Sequence, residues 1–421
     1  MPHDTPLIST IVVGLSLAFL FGLVAQRMRL PLIAGYLMAG IVIGPFTPGY
    51  VADQALALEL AELGVILLMF GVGLHFSVRD LMSVKNIAIP GALGQILVAT
   101  GFGTFVGWVS GWGIGAGIIF GLALSVASTV VLLRALQDRG IVTAERGRIA
   151  VGWLIVEDLV MVISLVLIPP LAGLLGGRAV PVTEDAAQVA ALGFGPVVAT
   201  VLVTLAKVGA FVALMLIVGR KLIPAILHHV AMTGSRELFR LAVLAIALGV
   251  AYGSSVFFGV SFALGAFFAG MVMAGSTLSQ QAMRETLPLR DAFAVLFFVS
   301  VGMLFNPAVL LDQPVHLAAT VVVIVLVKSL AAFGIVRAFG YPKGVALTIA
   351  TALAQIGEFS FILIVMGVKL AIVPPEAKDL VVAGAMISIL VNPILFRALD
   401  RWVARHEPPE VVADPPAAKA A

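Results

Sequence analysis

The chain has 421 residues, of which 61% are hydrophobic and only 11% are charged, and its formal net charge is +3 at pH 7. A mean hydropathy of +1.15 excludes a soluble globular domain, because no soluble core could bury this much apolar surface. The absence of cysteine excludes disulfides, thiol catalysis and thiolate metal sites. The apolar runs are too continuous for the alternating strands of a membrane barrel. We therefore predict a polytopic, all-α membrane protein.

Apolar runs of about 20 residues, separated by charged or Pro/Gly-rich segments, predict about thirteen transmembrane helices. No Asp, Glu, Lys or Arg occurs between Asn86 and Leu133, a stretch long enough for two of these helices. The expected spans are 7–25, 31–49, 56–76, 87–109, 112–135, 148–170, 188–219, 238–252, 255–275, 288–305, 315–338, 344–367 and 378–398.

The basic residues predict how these helices are oriented. Nineteen Lys and Arg residues fall on one set of alternate loops, whereas the opposite loops hold only Arg178, Lys369 and Lys378. By the positive-inside rule the first set is cytoplasmic. The amino terminus is then outside and the carboxyl terminus inside, as an odd number of spans requires. The segment 406–421, rich in Pro, Ala and acidic residues, is expected to be a disordered cytoplasmic tail.

The fifth and twelfth predicted spans are interrupted at their centres by small and polar residues, at Ser125–Thr129 and Thr351–Glu358. Interrupted helices in corresponding positions of two halves are typical of inverted-repeat transporters. We therefore expect two repeats of six helices flanking a linking helix, with the broken helices crossing at the midplane. Ser125, Ser128 and Thr129 are candidate cation ligands. For either segment alone, an unbroken helix with Ser and Thr bonded to the i−4 carbonyl remains an alternative.

Two adjacent acids, Glu157 and Asp158, lie at the centre of the apolar run Ile149–Ile168 in the sixth span. Each charge at the middle of a bilayer costs about 2.5–3.5 kcal/mol, and two adjacent like charges cost more. An intramembrane acidic pair therefore predicts an ion-binding or proton-binding site.

A lysine, Lys328, lies near the middle of the eleventh span, where it is as costly as the acids unless it is paired. We expect an ion pair with Glu157 or Asp158, which leaves one carboxylate free. A purely structural salt bridge is the alternative, although one lysine cannot neutralise two acids.

The remaining polar residues carry weaker signals. Gln355, Gly357 and Glu358 belong to the second interruption, and we expect Glu358 to balance amide dipoles or form a structural pair. Lys207 is expected to snorkel or to pair within the protein. The sequence shows neither metal-ligand spacing nor a nucleophile–base pair, so we expect no cofactor, no enzymatic activity and no nucleic-acid partner.

Several segments, in matching order and spacing from about residue 5 to residue 400, resemble the Kef-type, YbaL-like monovalent cation:proton antiporters of the cation:proton antiporter-2 family. The resemblance implies a sodium/proton antiporter-like fold within 1–405. In that fold a core that includes 87–170 and 315–398 moves against a dimerisation domain that includes 7–76 and 188–305. The segments that carry the resemblance are ELAELGVILLMFGVGLHFS, STVVLLRAL, GWLIVEDLVMV, SFALGAFFAGM, LPLRDAFAVLFFVSVGMLF, KSLAAF and LAQIGEFSFIL.

The resemblance also implies a function and its residues. Asp158 matches the family's carrier of cation and proton, Lys328 its intramembrane lysine, and Ser125–Thr129 and Ala354–Glu358 its broken helices. A homodimer in a bacterial inner (plasma) membrane would exchange a monovalent cation, K+ rather than Na+, for protons by alternating access. Glu157 is a departure, since Kef proteins carry glutamine before the aspartate.

Relatives usually continue into a cytosolic nucleotide-binding domain, and no G-x-G-x-x-G after a strand occurs here. We expect no such domain in this chain, so gating by nucleotides or glutathione is not assigned to it, and a regulatory domain or subunit outside the chain stays an open alternative. Three alternatives remain open: a cation channel or efflux system without obligatory proton coupling, a membrane scaffold or sensor, and a symporter for organic anions.

Overall fold

A computed structural model describes residues 6–28, 30–75, 78–178, 184–191 and 195–406. All regular elements in these ranges are helices. Residues 407–421, the larger part of the predicted disordered tail, lie outside the described residues, and the last helix ends at His406.

The helices of the first half follow one another with short connections. They are α1 Pro6–Arg27, α2 Leu32–Val42, α3 Gln54–His75, α4 Val78–Val109, α5 Ile114–Ser125, α6 Thr129–Gln137, α7 Glu145–Leu171, α8 Glu184–Ala191, α9 Pro196–Leu214 and, after a π-helical turn at Met215–Gly219, α10 Arg220–Met232.

The second half repeats the order of a long helix, a broken helix and a long helix. It comprises α11 Arg236–Phe258, α12 Phe262–Ala274, α13 Ser279–Met303, the short α14 Val309–Asp312, α15 Pro314–Val322, a π-helical turn at Val323–Val327, α16 Lys328–Ala338, α17 Lys343–Ala352, α18 Glu358–Lys369 and α19 Pro375–His406.

The predicted polytopic, all-α fold is confirmed. Nine helices among the described residues are long and apolar enough to cross a membrane. Four shorter apolar helices account for the other predicted spans in whole or in part. These are Leu32–Val42, Ile114–Ser125, Phe262–Ala274 and Lys343–Ala352.

Several helix ends differ from the predicted spans. The fourth helix begins at Val78 instead of residue 87, because the helical hydrogen bonds continue beyond the apolar run into the charged end. The division predicted at 252–255 falls later, since α11 continues to Phe258. There Gly259 takes a left-handed conformation (φ 63°), which ends the helix, and the Ser261 side chain accepts from the Leu264 N–H to start α12.

Both predicted interruptions are real breaks. Val126 and Ser128 have extended backbone between α5 and α6, and the Ser128 hydroxyl caps α6 by accepting from the Val131 N–H. Gly357 is likewise extended immediately before α18. A helix interrupted in this way leaves backbone amide and carbonyl groups that need partners within the membrane.

Buried apolar side chains form three clusters among the described residues, the largest of which joins residues of both halves, such as Phe70, Phe120 and Phe359. Apolar side chains of α4, α6, α7, α16, α17 and α19, among them Trp153, Leu132 and Phe396, form a second buried cluster around the broken helices. A third cluster joins α1, α2, α3 and α13, with Ala39 and Val299 among its members. The second cluster positions the polar residues of the site.

Candidate ion-binding site

The two broken helices touch at their extended segments. A side-chain carbon built on Gly357 would lie 2.5 Å from the Cα of Ser128, so only glycine allows this approach. The Ser128 N–H donates to Gln355 Oε1 (3.0 Å), and Gln355 Nε2 donates back to the Ser128 carbonyl (3.2 Å). Residues 227 positions apart in the chain are thereby locked together at the crossing.

The breaks leave some carbonyl groups without a helical hydrogen bond, and side chains from three neighbouring helices donate to them. Gln95 Nε2 donates to the Ser125 carbonyl (2.8 Å). Lys328 Nζ donates to the Gln355 carbonyl (2.7 Å), and Asn392 Nδ2 donates to that of Thr351 (2.8 Å). These caps satisfy carbonyls that water cannot reach. They also oppose the negative ends of the half-helix dipoles.

Amide groups that the breaks leave without a helical hydrogen bond lie next to carboxylates instead. The Ala127 N–H donates to Glu157 Oε2 (2.8 Å). Glu358, the first residue of α18, lies at the positive end of that half-helix and accepts from the Ser128 hydroxyl (3.3 Å). Glu157 and Glu358 thus each serve the backbone of the crossing, as helix-dipole electrostatics favours.

Asp158 bonds to a side chain and not to the backbone. Its Oδ2 accepts from the Thr129 hydroxyl (3.3 Å), whereas Oδ1, like Glu157 Oε1, is buried without a hydrogen-bond partner among the described residues. Only 5% of the residue is exposed. A buried carboxylate oxygen without a partner is costly. This oxygen is therefore available for a proton or a cation.

The geometry of Lys328 corrects a sequence expectation. It is fully buried, but within the described part of the chain it forms no salt bridge with Glu157 or Asp158. The carbonyl of Gln355, freed by the helix break, takes the ammonium group instead. Lys328 and Glu157 still interact electrostatically through space, so the positive charge remains part of the same buried network.

Ser125 also differs from its predicted role as a cation ligand. Its hydroxyl donates to the Leu122 carbonyl (2.8 Å) within α5, because a serine in the last helical turn can reach that carbonyl. Only its own carbonyl takes part in the crossing, through Gln95.

A cavity of about 740 Å³ leads to Asp158. Its inner end is lined by Thr129, Asp158 and Glu358. Its more exposed end is lined by four charged residues from two different helix regions. These are Arg134 and Asp138 near the end of α6, and Arg290 and Asp291 on α13. Arg134 and Arg290 belong to the set that the sequence places on the cytoplasmic side.

Three residues of the site were missed by the sequence analysis. Gln95 and Asn392 are buried amides at membrane depth, a signal that the search for charged residues overlooked. Trp153 donates its indole N–H to Gln95 Oε1 (3.0 Å), and no sequence pattern marked it. The expected pairing of Lys207 is found with Asp185 of α8 (2.7 Å), away from the crossing. In the described ranges no group of three His or acidic side chains could hold a metal ion.

Comparisons with known proteins show the family of the chain. The family model described as "Sodium/hydrogen exchanger, transmembrane" matches residues 15–402. "Putative cation/proton antiporter YbaL" of Escherichia coli (strain K12) is 57% identical over 407 residues, covering 97% of this chain and 71% of that protein. "K(+) efflux antiporter 4" of Arabidopsis thaliana is 32% identical over 402 residues, covering 95% of this chain and 65% of that protein.

A solved structure shares the fold. The sodium proton antiporter MjNhaP1 from Methanocaldococcus jannaschii superposes with a TM-score of 0.67 at 15% sequence identity, covering 95% of this chain and 98% of that chain.

Broken helices that cross beside buried acids define a class, the ion-coupled secondary transporters. The chain belongs to the sodium/hydrogen exchanger family and is a multi-pass integral membrane protein. Its relatives are cation/proton antiporters, which are transporters and not enzymes.

Proposed function

We propose that the protein exchanges a monovalent cation, K+ in preference to Na+, for protons by alternating access, and that cation and proton compete for Asp158. Either ligand neutralises the Asp158 carboxylate, so that the loaded site can cross the low-dielectric barrier between the two sides. Without a ligand the Asp158 carboxylate keeps its charge, and the free-energy cost of a buried, unpaired charge prevents the empty site from crossing. Exchange is therefore obligatory.

The observation that carries this proposal is the position of Asp158. One of its oxygens is held by Thr129, the other is buried without a partner in the described structure, and the residue lies at the inner end of a large cavity. Thr129 and Ser128 supply hydroxyl oxygens, and the broken backbone supplies carbonyls, which suit an alkali cation.

Two further observations bear on the alternatives. The residues that line the cavity include none of Arg178, Lys369 and Lys378, which the sequence places on the outer side. A cavity that reaches Asp158 only past residues assigned to the cytoplasmic side is what an exchanger in one of its two states would have, and it supports an exchanger over an open channel. The preference for K+ rests on relatives named as K(+) efflux antiporters at 32% and 30% identity.

The deciding experiment measures cation-driven proton movement in proteoliposomes with K+, Na+ and Li+. We expect the wild-type protein to couple the two fluxes and Asp158→Asn to lose at least about 100-fold in rate, because an amide neither binds a proton nor neutralises a cation. Asp379→Asn is a matched control, since Asp379 accepts from the Asn306 N–H outside the cavity. Full exchange by Asp158→Asn would refute the proposal, and cation flux without proton flux would identify a channel.

Competition at one carboxylate also sets the pH dependence. As the pH rises, fewer protons compete for Asp158, so the apparent KM for the cation should fall, by up to about tenfold per pH unit in the proton-saturated range. The measurement is the initial exchange rate against cation concentration at several pH values. A KM that does not change with pH would mean that protons and cations use different sites.

A companion variant, Glu157→Gln, tests the charge moved per cycle. If Glu157 only accepts from the Ala127 N–H, the glutamine carbonyl can replace it and the membrane-potential dependence of exchange should not change. A change in that dependence would show that Glu157 exchanges protons together with Asp158.

A further inference from the structure

A second carboxylate, that of Glu358, lies at the inner end of the same cavity as Asp158. We propose that Glu358 is a direct ligand of the transported cation, which binds between the Glu358 and Asp158 carboxylates. This inference rests on the proposed function and adds a ligand to its site. It replaces the purely structural role that the sequence suggested for this residue.

The hydroxyl groups of two consecutive residues connect the two acids. Ser128 Oγ contacts Glu358 Oε2 at 3.3 Å, and Thr129 Oγ1 contacts Asp158 Oδ2 at 3.3 Å. Because Ser128 and Thr129 are consecutive residues at the start of α6, the carboxylates that contact them, from α18 and α7, belong to the same region of the crossing. Glu358 is 2% exposed and Asp158 5%, and both line the same cavity, so the two acids are buried side chains of one pocket.

The two acids also interact directly through their charges. Glu358 and the adjacent Glu157 both act on Asp158 through their negative charges. Arg290 lies on the same cavity and acts on Glu358 from a distance, but its guanidinium pairs with Asp291 (2.7 Å). The repulsion between Asp158 and Glu358 is thus only partly offset by the protein.

A bound cation would remove that repulsion. At the crossing, three carboxylates (Glu157, Asp158 and Glu358) face one ammonium (Lys328), which leaves a formal charge of −2 when all are ionised. Lys328 and Glu157 are both engaged with backbone groups. Asp158 makes no such backbone bond, one of its oxygens is buried without a partner among the described residues, and it lines the cavity together with Glu358, whereas Glu157 is not among the lining residues. A dehydrated alkali cation needs several oxygen ligands, and two carboxylates with two hydroxyls provide them.

The test is the thermal stabilisation of the purified protein by KCl or NaCl at constant ionic strength, because a ligand that binds the native state raises its melting temperature. In Glu358→Gln, we expect the cation concentration that gives half of the maximal stabilisation to rise at least tenfold. The melting temperature without cation should stay close to that of the wild-type protein. Glu62→Gln is the matched control, since Glu62 is exposed and pairs with Lys369 at the surface.

Two results would overturn the inference. One is an unchanged half-effect concentration in Glu358→Gln. The other is a lower melting temperature at unchanged cation affinity, which means that Glu358 only caps α18. If Glu358→Gln does not fold, Glu358→Asp keeps the charge but withdraws it by one methylene, and we expect a severalfold weaker cation effect. A wild-type cation effect in Glu358→Asp would then contradict direct ligation.

Asp158→Asn separates this inference from the function on which it rests. If Asp158→Asn loses cation stabilisation and exchange while Glu358→Gln retains both, the exchanger stands and Glu358 is not a ligand. If Asp158→Asn retains both, the proposed function itself fails.

Discussion

The two halves of the core use the same backbone plan with different side chains. In the first half, Gln95 on α4 donates to the Ser125 carbonyl of the neighbouring broken helix. In the second half, Lys328 on α16 donates to the Gln355 carbonyl of the other broken helix. One cap is a neutral amide and the other a charged ammonium. A broken helix therefore requires a donor at this position, but it does not require a charge.

The third helix of each half shows a second difference. In the first half, α7 carries Glu157 and Asp158, whereas the long helix of the second half, α19, carries the neutral Asn392. Glu157 accepts from a backbone amide, and Asn392 donates to a backbone carbonyl. Asp158 has no described hydrogen bond to the backbone: one of its oxygens accepts from the Thr129 hydroxyl, and the other, like Glu157 Oε1, is buried without a partner among the described residues. The comparison separates the side chains that bond to the backbone of the crossing from Asp158, the residue to which we assign ion exchange.

The largest expected loss of stability follows from removing the two side-chain donors, Lys328 and Gln95. Lys328→Met should destabilise the protein by about 3–5 kcal/mol, because it leaves buried acids without their counter-charge. Gln95→Leu should cost about 1–3 kcal/mol, the cost of an unsatisfied buried carbonyl. The measurement is thermal unfolding of the detergent-purified variants.

The pH dependence of the stability lost in Lys328→Met and in Gln95→Leu provides a control. The deficit of Lys328→Met should grow as the pH rises, because the nearby carboxylates then lose their protons and repel one another. The deficit of Gln95→Leu should not depend on pH, because no charge is removed. Equal deficits with the same pH dependence would show that Lys328 is only a hydrogen-bond donor.

A smaller effect is expected at the contact between the broken helices. Gly357→Ala places a methyl group 2.5 Å from the Ser128 Cα and should cost about 1–3 kcal/mol while strongly reducing exchange, because the two breaks must separate. Gly334→Ala is the control, since nothing lies within 4 Å of a side chain built there. Normal melting and exchange in Gly357→Ala would mean that the crossing tolerates separation.

The smallest loss of stability is expected at Asn392, the neutral residue that α19 carries where α7 carries two acids. Asn392→Ala should cost about 1–2 kcal/mol by freeing the Thr351 carbonyl, and exchange per folded molecule should be retained. Ser388→Ala is the control on the same helix, because among the described residues the Ser388 hydroxyl bonds only to the Ala385 carbonyl of its own turn. A loss of exchange at full stability in Asn392→Ala would place Asn392 in the transport cycle.

Much of this architecture was predictable from the pattern of apolar runs. The cost of charge in lipid made Glu157, Asp158 and Lys328 visible at once, and small polar residues marked both helix breaks. Gln95 and Asn392 were missed because a neutral amide in an apolar run is a weak signal until its carbonyl partner is known. The helix ends at Val78 and Phe258 were displaced because hydrogen bonding continues beyond the edge of an apolar run.

The sequence by itself determined the class of the protein, since a chain this apolar can satisfy its backbone only as helices within a membrane. It also placed the acidic pair at membrane depth. Only the tertiary structure decided which carboxylate oxygens lack a partner in the described part of the chain, that Lys328 caps a carbonyl, and that Glu358 shares the cavity with Asp158. These facts depend on contacts between separate helices, some of them between residues more than 200 positions apart in the chain, which no local pattern encodes.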